Sequence, residues 1–328
     1  MRYFTVLILS IISVFPSQAQ ITVDTTFTSD QLVQNLLLGT GIAINGVSSF
    51  GPNSHKGQMI SSDTSLTALS SGVVIGTGPL NEIFPVGGDS WFGFEEDNSG
   101  LVSDMLQIAN DVPEIIGENF SLSSLYNLSG FEFDFIPYGE HLEFSYVFLS
   151  SEYEQFENYQ YNDVFAYFIS GPGIDGSYTN ASENIALVPD YTPDLPITVS
   201  SINSFINSDW YVPMPENGVI DSRGRTKKLT IEYNGLQIGE TYHIVFAIAD
   251  GSDAAFDSQV LLEEGSFSAG NPVEMGNIYD INNDGLINVN DLLILTGAFG
   301  CMGTDCDGDF NDDGITSFMD VLEFLANF

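Results

Sequence analysis

Basic residues are almost missing from this chain: 6 Lys and Arg stand against 45 Asp and Glu, giving a formal net charge of −39 at pH 7. Nucleic-acid binding draws on Lys and Arg to displace counterions from phosphates, so that partner class is excluded. Charge of either sign is sparse, at 16% of residues, which leaves Ser, Thr, Asn and Gly to cover most of the surface. Acids of this kind chiefly keep a protein soluble, and where they gather they suit divalent cations. Cysteine is scarcer still, with only Cys301 and Cys306. A C-x4-C pair with no nearby His makes a poor zinc site, since zinc generally wants four N or S ligands. In an exported protein the two can join, and a disulfide is the favoured reading. Beyond the first residues, no stretch approaches the roughly twenty apolar residues that span a bilayer. Catalytic signatures are missing as well: there is no G-x-S-x-G elbow or H-E-x-x-H helix, and His55, His141 and His243 lie far apart.

What is present begins with an export signal. Arg2 supplies the positive start, Val6 to Val14 the apolar stretch and Ser17-Gln18-Ala19 the small-residue cleavage site. The expected organisation is a signal peptide over 1–19, a large domain over 20–269, a linker over 270–276 and a small domain over 277–328, in a secreted protein that is free or held at the cell surface.

The large domain reads as β-rich. Phe131, Phe133 and Phe135 alternate with Glu132 and Asp134; Leu142, Phe144, Tyr146 and Phe148 keep the same period, as do Tyr242, Ile244, Phe246 and Ile248. Each run can bury one face against a second sheet. A helix is expected near the start, where Thr28 and Gln31 make a capping box and Leu32, Val33, Leu36 and Leu37 form an apolar face ending at Gly39. The fold class is mainly β: a jelly-roll-like β-sandwich followed by a small α-helical domain.

That small domain holds an internal repeat. Asp280-Ile281-Asn282-Asn283-Asp284-Gly285 is echoed by Asp309-Phe310-Asn311-Asp312-Asp313-Gly314. An EF-type loop takes oxygens from its first, third and fifth residues, the seventh carbonyl, the ninth residue and a carboxylate at the twelfth, with a Gly at the sixth for the turn. The first repeat supplies Asp280, Asn282, Asp284, the carbonyl of Leu286, Asn288 and Asp291; the second supplies Asp309, Asn311, Asp313, the carbonyl of Ile315, Ser317 and Asp320. Each loop gathers carboxylates that repel one another without a cation, so two calcium ions are expected. The helices that follow carry Leu292, Leu293 and Leu295, and Val321, Leu322, Phe324 and Leu325. So small a domain has little core, and metal would supply much of its folding free energy.

The stretch 277–328 resembles the dockerin type I family, whose repeats read D-x-N-x-D-G-x-[VI]-[NS]-x-x-D before an apolar helix. The resemblance implies calcium and a cohesin-like partner. The departures are Thr316, where an aliphatic residue is usual, and Val289-Asn290 and Phe318-Met319, at places where cellulosomal dockerins often carry Ser-Thr and touch the cohesin.

Phrases spread over the large domain resemble the choice-of-anchor L family. They include Gln31-Leu32-Val33-Gln34, the run from Phe131 to Pro137, Tyr146-Val147-Phe148 with Ser151-Glu152-Tyr153, Asn162-Asp163-Val164-Phe165, Ile169-Ser170-Gly171-Pro172-Gly173, Asn184 to Pro189, Ala247-Ile248-Ala249-Asp250, Asp257-Ser258 and Glu264-Gly265-Ser266-Phe267. The resemblance implies an exported module with a variable C-terminal attachment segment, and it brings no assigned activity.

Within this domain Glu152, Asp163, Asp250, Asp253 and Asp257 sit where strands meet loops and are candidates for a further structural cation, against the alternative of solvated loop acids. Tyr153, Tyr159, Tyr161, Trp210 and Tyr211 are candidates for stacking on sugar rings, against ordinary packing. The expected function is a non-catalytic, adhesive or ligand-binding extracellular protein whose calcium-folded tail docks to a cohesin-like or cell-surface partner, with polysaccharide as a further candidate ligand. The competing reading is a secreted carbohydrate-active enzyme or accessory subunit of glycoside hydrolase type. Its obvious carboxylate pair is Glu143 and Glu152, which would have to stand roughly 5–9.5 Å apart.

Overall fold

The computed structural model describes residues 21–83, 100–214, 220–269, 278–282, 287, 289–303, 308–311 and 313–326. The expected signal peptide and linker lie outside these residues.

The strands are β1 (Ile21–Asp24), β2 (Ile42–Phe50), β3 (Lys56–Ser61), β4 (Ser71–Gly76), β5 (Leu125–Pro137), β6 (His141–Ser150), β7 (Val164–Ser170), β8 (Glu183–Asn184), β9 (Tyr211–Pro213), β10 (Gly224–Thr226), β11 (Leu229–Asn234), β12 (Tyr242–Gly251), β13 (Ser258–Glu263) and β14 (Ser268–Ala269). One sheet has nine strands in the order β1-β3-β4-β13-β6-β10-β9, with β11 and β14 also paired to β6; the other has five, in the order β2-β5-β12-β7-β8. The ladders are antiparallel. The mainly β expectation therefore holds.

The alternating runs do what their period requires. Phe131, Phe133 and Phe135 of β5, Phe144, Tyr146 and Phe148 of β6, and Tyr242, Ile244 and Phe246 of β12 are all buried. Aromatic rings close the space between the sheets: Phe144 of β6 lies 4.3 Å from Tyr167 of β7 and 5.6 Å from Phe246 of β12, centroid to centroid. Tyr167 meets Phe246 edge-on at 4.3 Å. On the outer face of β5, Glu132 and Asp134 flank His243, whose Nδ1 is 2.8 Å from Asp134 Oδ1. This is the polar face of the pleat.

The outer faces are covered as well. Met59, Leu66, Val74, Val147, Leu149 and Leu261 form a second apolar layer outside the larger sheet, so both faces of β6 are buried along its second half. A helix at Gly100–Ile116 covers the smaller sheet, packing Met105, Ile108 and Ala109 over Ala166, Ala247 and Ala249. The sequence reading missed this helix, although Val102, Met105, Ala109 and Val112 recur at helical spacing. Its Pro113 cannot donate to the carbonyl of Ala109; the Asn162 side-chain amide approaches that oxygen at 3.4 Å instead.

The N-terminal helix forms with both halves of the Thr28–Gln31 capping box in place. It then widens into a π-helix over Leu32–Leu37, which buries Leu32, Val33, Leu36 and Leu37. Gly39 is not a left-handed cap. It is glycine because a side chain there would strike Ser268 and the carbonyl of Gly265, where the chain runs beside β14.

Two outcomes follow. Phe246 touches Phe131, Phe133, Phe144, Tyr167 and Phe267, so Phe246→Ala is expected to cost about 3–5 kcal/mol in urea unfolding; a loss under 1 kcal/mol would contradict this packing. His55 is buried, with its Nδ1 unpartnered, and burial, then the neighbouring Lys56 charge, hold its pKa down at about 4. Unfolded chains protonate His near 6.5, so its stabilising contribution is whole above that pH and disappears as pH falls through about 4. Between pH 7 and 4, His55→Gln should lose less stability than the parent, by on the order of 2 kcal/mol; equal losses would reject the assignment.

Candidate functional site

The strand ends bring Glu152, Asp163, Asp250 and Asp257 to one edge of the sandwich. Pairing of Ser258 with Ser150 puts the start of β13 beside the end of β6, and the Ser151 amide donates to the Asp257 carbonyl at 3.2 Å. In the facing sheet, Val164 pairs with Ala249, which sets Asp163 across from Asp250. A register shift between Ile248 and Asp250 re-aims the end of β12 at this point. The Asp163 carboxylate then stitches the two sheets: its Oδ1 accepts from the Gly251 amide of β12 at 3.0 Å, and its Oδ2 accepts from the Ser258 hydroxyl of β13 at 2.6 Å. Asp250 Oδ2 accepts from the Asn127 side-chain amide at 2.8 Å. Asp253, on the turn between β12 and β13, accepts from the Ala255 amide.

These groups are deeply buried: Glu152, Asp163 and Asp250 are each 1% exposed and Asp257 is 5% exposed. Glu152 Oε2 and Asp250 Oδ1 have no hydrogen-bond partner. Burial, then the charges of Asp253 and Asp250, push the Glu152 carboxyl up to about 9, against the opposing pull of Arg223. Burial and the charge of Glu152 raise Asp163, and burial followed by the charges of Asp163 and Asp257 raises Asp250. The carboxyls thus feel one another. Arg223 is engaged elsewhere, donating to the Ser151 carbonyl at 3.1 Å and lying 4.9 Å from the centre of the Phe256 ring.

The rest of the expected residues fall differently. Glu143 and Glu152 do not form a pair. Glu143 faces outward opposite Glu232, and the strand from Glu143 to Ser150 alone covers about 23 Å. Tyr153 and Tyr211 are buried, with ring centroids 5.0 Å apart, and Tyr161 packs on Phe156; they serve the core and its loops. Tyr159 is exposed. The aromatic surface lies where the sequence reading did not look, in an open groove of about 660 Å³ lined by Tyr178, Tyr191 and Tyr233 among Glu183, Asp194 and Glu232. No motif marks it, because its residues come from separate loops, from β8 and β11 and from the helix Gly100–Ile116.

In the tail, both repeats adopt one local arrangement. Asp291 Oδ1 accepts from the amides of Ile281 and Asn282, and Asp320 Oδ1 accepts from those of Phe310 and Asn311. In the second loop, Asp309 also accepts from the amides of Asp313 and Gly314, while Asp320 Oδ2 takes the Ser317 amide at 2.7 Å and caps the helix Phe318–Leu325. Asp284, Leu286, Asn288 and Cys306 lie outside the described residues; Cys301 is disulfide-bonded. The helices Val289–Gly297 and Phe318–Leu325 bury Leu295 and Phe324 but expose Leu293, Leu322 and Leu325. Tyr279, Phe310 and Phe324 bring the repeats together, with Tyr279 and Phe310 4.8 Å apart. Among the described residues, no three His, Cys, Asp or Glu side chains stand at the spacing of a closed metal shell.

Two antiparallel sheets around an aromatic layer define a β-sandwich module. The chain belongs to the choice-of-anchor L domain family, whose sequence profile matches residues 21–268. Membership points to a cell-surface or extracellular protein, and no described helix is long and apolar enough to cross a membrane. No curated protein matches the chain, and no solved structure does.

The close fit of Gly78 against the Asp257 carboxylate makes the acidic edge sensitive to small changes. A methyl group at Gly78 would overlap that carboxylate, so Gly78→Ala is expected to cost about 1–3 kcal/mol by overpacking. Unchanged thermal unfolding would show that Asp257 moves aside freely.

Proposed function

We propose that this is a non-catalytic extracellular or cell-surface protein. Its sandwich binds a ligand or surface, and its tail is a dockerin-like pair of loops folded by calcium. The observation that carries this reading is the duplicated clamp, in which the twelfth-position carboxylate of each loop, Asp291 or Asp320, holds the amides of the second and third residues. An EF-type loop needs its twelfth residue tied back to its start, and the clamp supplies that tie in both repeats. The donor set fits a hard cation: Asp280, Asn282 and Asp291 in the first loop, and Asp309, Asn311, Asp313, the Ile315 carbonyl, Ser317 and Asp320 in the second, offer only oxygen. No Lys or Arg follows Lys228 in the sequence, so no basic side chain of the tail can neutralise these acids. When bound, calcium would supply that neutralisation and hold the loop closed.

Docking of the tail to a cohesin-like or other apolar partner is supported by its surface. Val289 and Leu293 on one helix and Phe318 and Leu322 on the other occupy equivalent places in the repeat, and all four are exposed. For the sandwich, the groove with Tyr178, Tyr191 and Tyr233 offers ring faces for stacking and carboxylates that accept hydroxyl protons, a combination that suits polysaccharide.

Hydrogen exchange of the full chain, followed on peptides covering Val289–Gly297 and Phe318–Leu325, tests the tail. Calcium should slow exchange in both helices and chelation should release it, with Asp309→Ala abolishing the difference in the second helix. Equal exchange with calcium and with chelator would defeat the reading.

A further inference from the structure

We propose that Glu152, Asp163, Asp250, Asp253 and Asp257 form a divalent-cation site in the sandwich itself, of the oxygen-only kind that takes calcium. The site is separate from the tail loops and does not depend on how they are read.

The acids come from separate stretches of chain and meet at one edge because of strand register. Asp163 and Asp250 face each other across β7 and β12, and Asp257 and Glu152 are set side by side by β13 and β6. Burying carboxylates together is costly unless something neutralises them. Arg223 offsets only part of this: its pull on Glu152 is outweighed by burial and the neighbouring acids, and its guanidinium is held by the Ser151 carbonyl, Gln155 and the Phe256 ring. Lys56 spends its ammonium on the carbonyls of Phe50, Gly51 and Pro52. Protons alone leave the geometry unexplained. A protonated carboxyl needs an acceptor for its O–H, and Glu152 Oε2 and Asp250 Oδ1, on residues 1% exposed, have no hydrogen-bond partner. A cation accounts for both oxygens at once.

The donors choose the class of ion. All are oxygens, and zinc prefers nitrogen or sulfur. Magnesium demands a near-ideal octahedron and keeps its waters, whereas calcium accepts six to eight oxygens in a flexible shell. Since the carboxylates do not stand at closed-shell spacing, the ion must draw them inward by side-chain rotation, which favours calcium. Its place at the Asp163 stitch means that binding would lock the sheet edges to each other.

The test uses the full chain carrying Asp280→Ala and Asp309→Ala, so that the tail loops are disabled. After dialysis against micromolar calcium, metal analysis should find about one ion per chain, and chelation should lower the thermal midpoint read from near-ultraviolet aromatic signals of the sandwich. Adding Asp250→Asn, which preserves shape, should weaken calcium binding about tenfold or more and remove the chelator response; adding Glu143→Gln should change neither. A tail-disabled chain that holds no calcium and melts identically in chelator overturns the proposal, and that result needs no substitution in the cluster to be readable. Because the tail is judged by hydrogen exchange of its own helices in the unmodified chain, either reading can fail while the other stands.

Discussion

The near-absence of basic side chains is the constraint around which this molecule is built. Of the few cations it has, Lys56 and Arg225 are buried and donate to backbone carbonyls, Arg223 braces a loop, and Lys228 bonds Glu263 at the surface. None of these four sits at the centre of an acid cluster. Buried carboxylates must therefore be satisfied by amides and hydroxyls, by protons or by metal. Asp163 shows the first solution with two short bonds to opposite sheets, and the tail repeats it when Asp291 and Asp320 each gather backbone amides. Where amides run out, at Glu152 and Asp250, the charge demand is left open.

Legibility in the sequence followed from how local the determining physics was. The period-two aromatic runs announced β5, β6 and β12, because a strand half-buried on one side writes its environment into alternate residues. The second half of β6 lost that signature, since Val147 and Leu149 are covered by the outer apolar layer as fully as Tyr146 and Phe148 are by the inner one. The helix Gly100–Ile116 went unread although its apolar spacing was available. The N-terminal helix was legible through its capping box, but its widening into a π-turn was not, being a response to packing. At the acidic edge, the residue types and their strand-end positions were visible. Their convergence was not, because register between β7 and β12 and between β6 and β13 is a long-range property. Of the groove tyrosines, Tyr178 and Tyr191 sit on loops without a period and Tyr233 on β11, and only the fold brings them together.

The tail and the sandwich illustrate two scales of the same chemistry. In the tail, twelve-residue loops bring oxygens together over a short contour, so that the pattern can be read from one line of sequence. In the sandwich, a cluster of similar chemistry draws on residues separated by as much as a third of the chain, and only the sheets bring them close. The large aromatic core can hold such a cluster in place; the tail, whose helices bury little beyond Leu295 and Phe324, has no comparable reserve.

The proline in the helix over the smaller sheet has a mechanical result. By freeing the Ala109 carbonyl it gives the Asn162 amide a foothold, while the other end of that side chain accepts from the Ser200 amide. Asp111 and Ile115, within two turns of Ala109 on the same helix, form part of the groove wall. The residue next to the sheet-stitching Asp163 is therefore fastened to the same helix that walls the tyrosine groove, so the acidic edge and the groove share one supporting element.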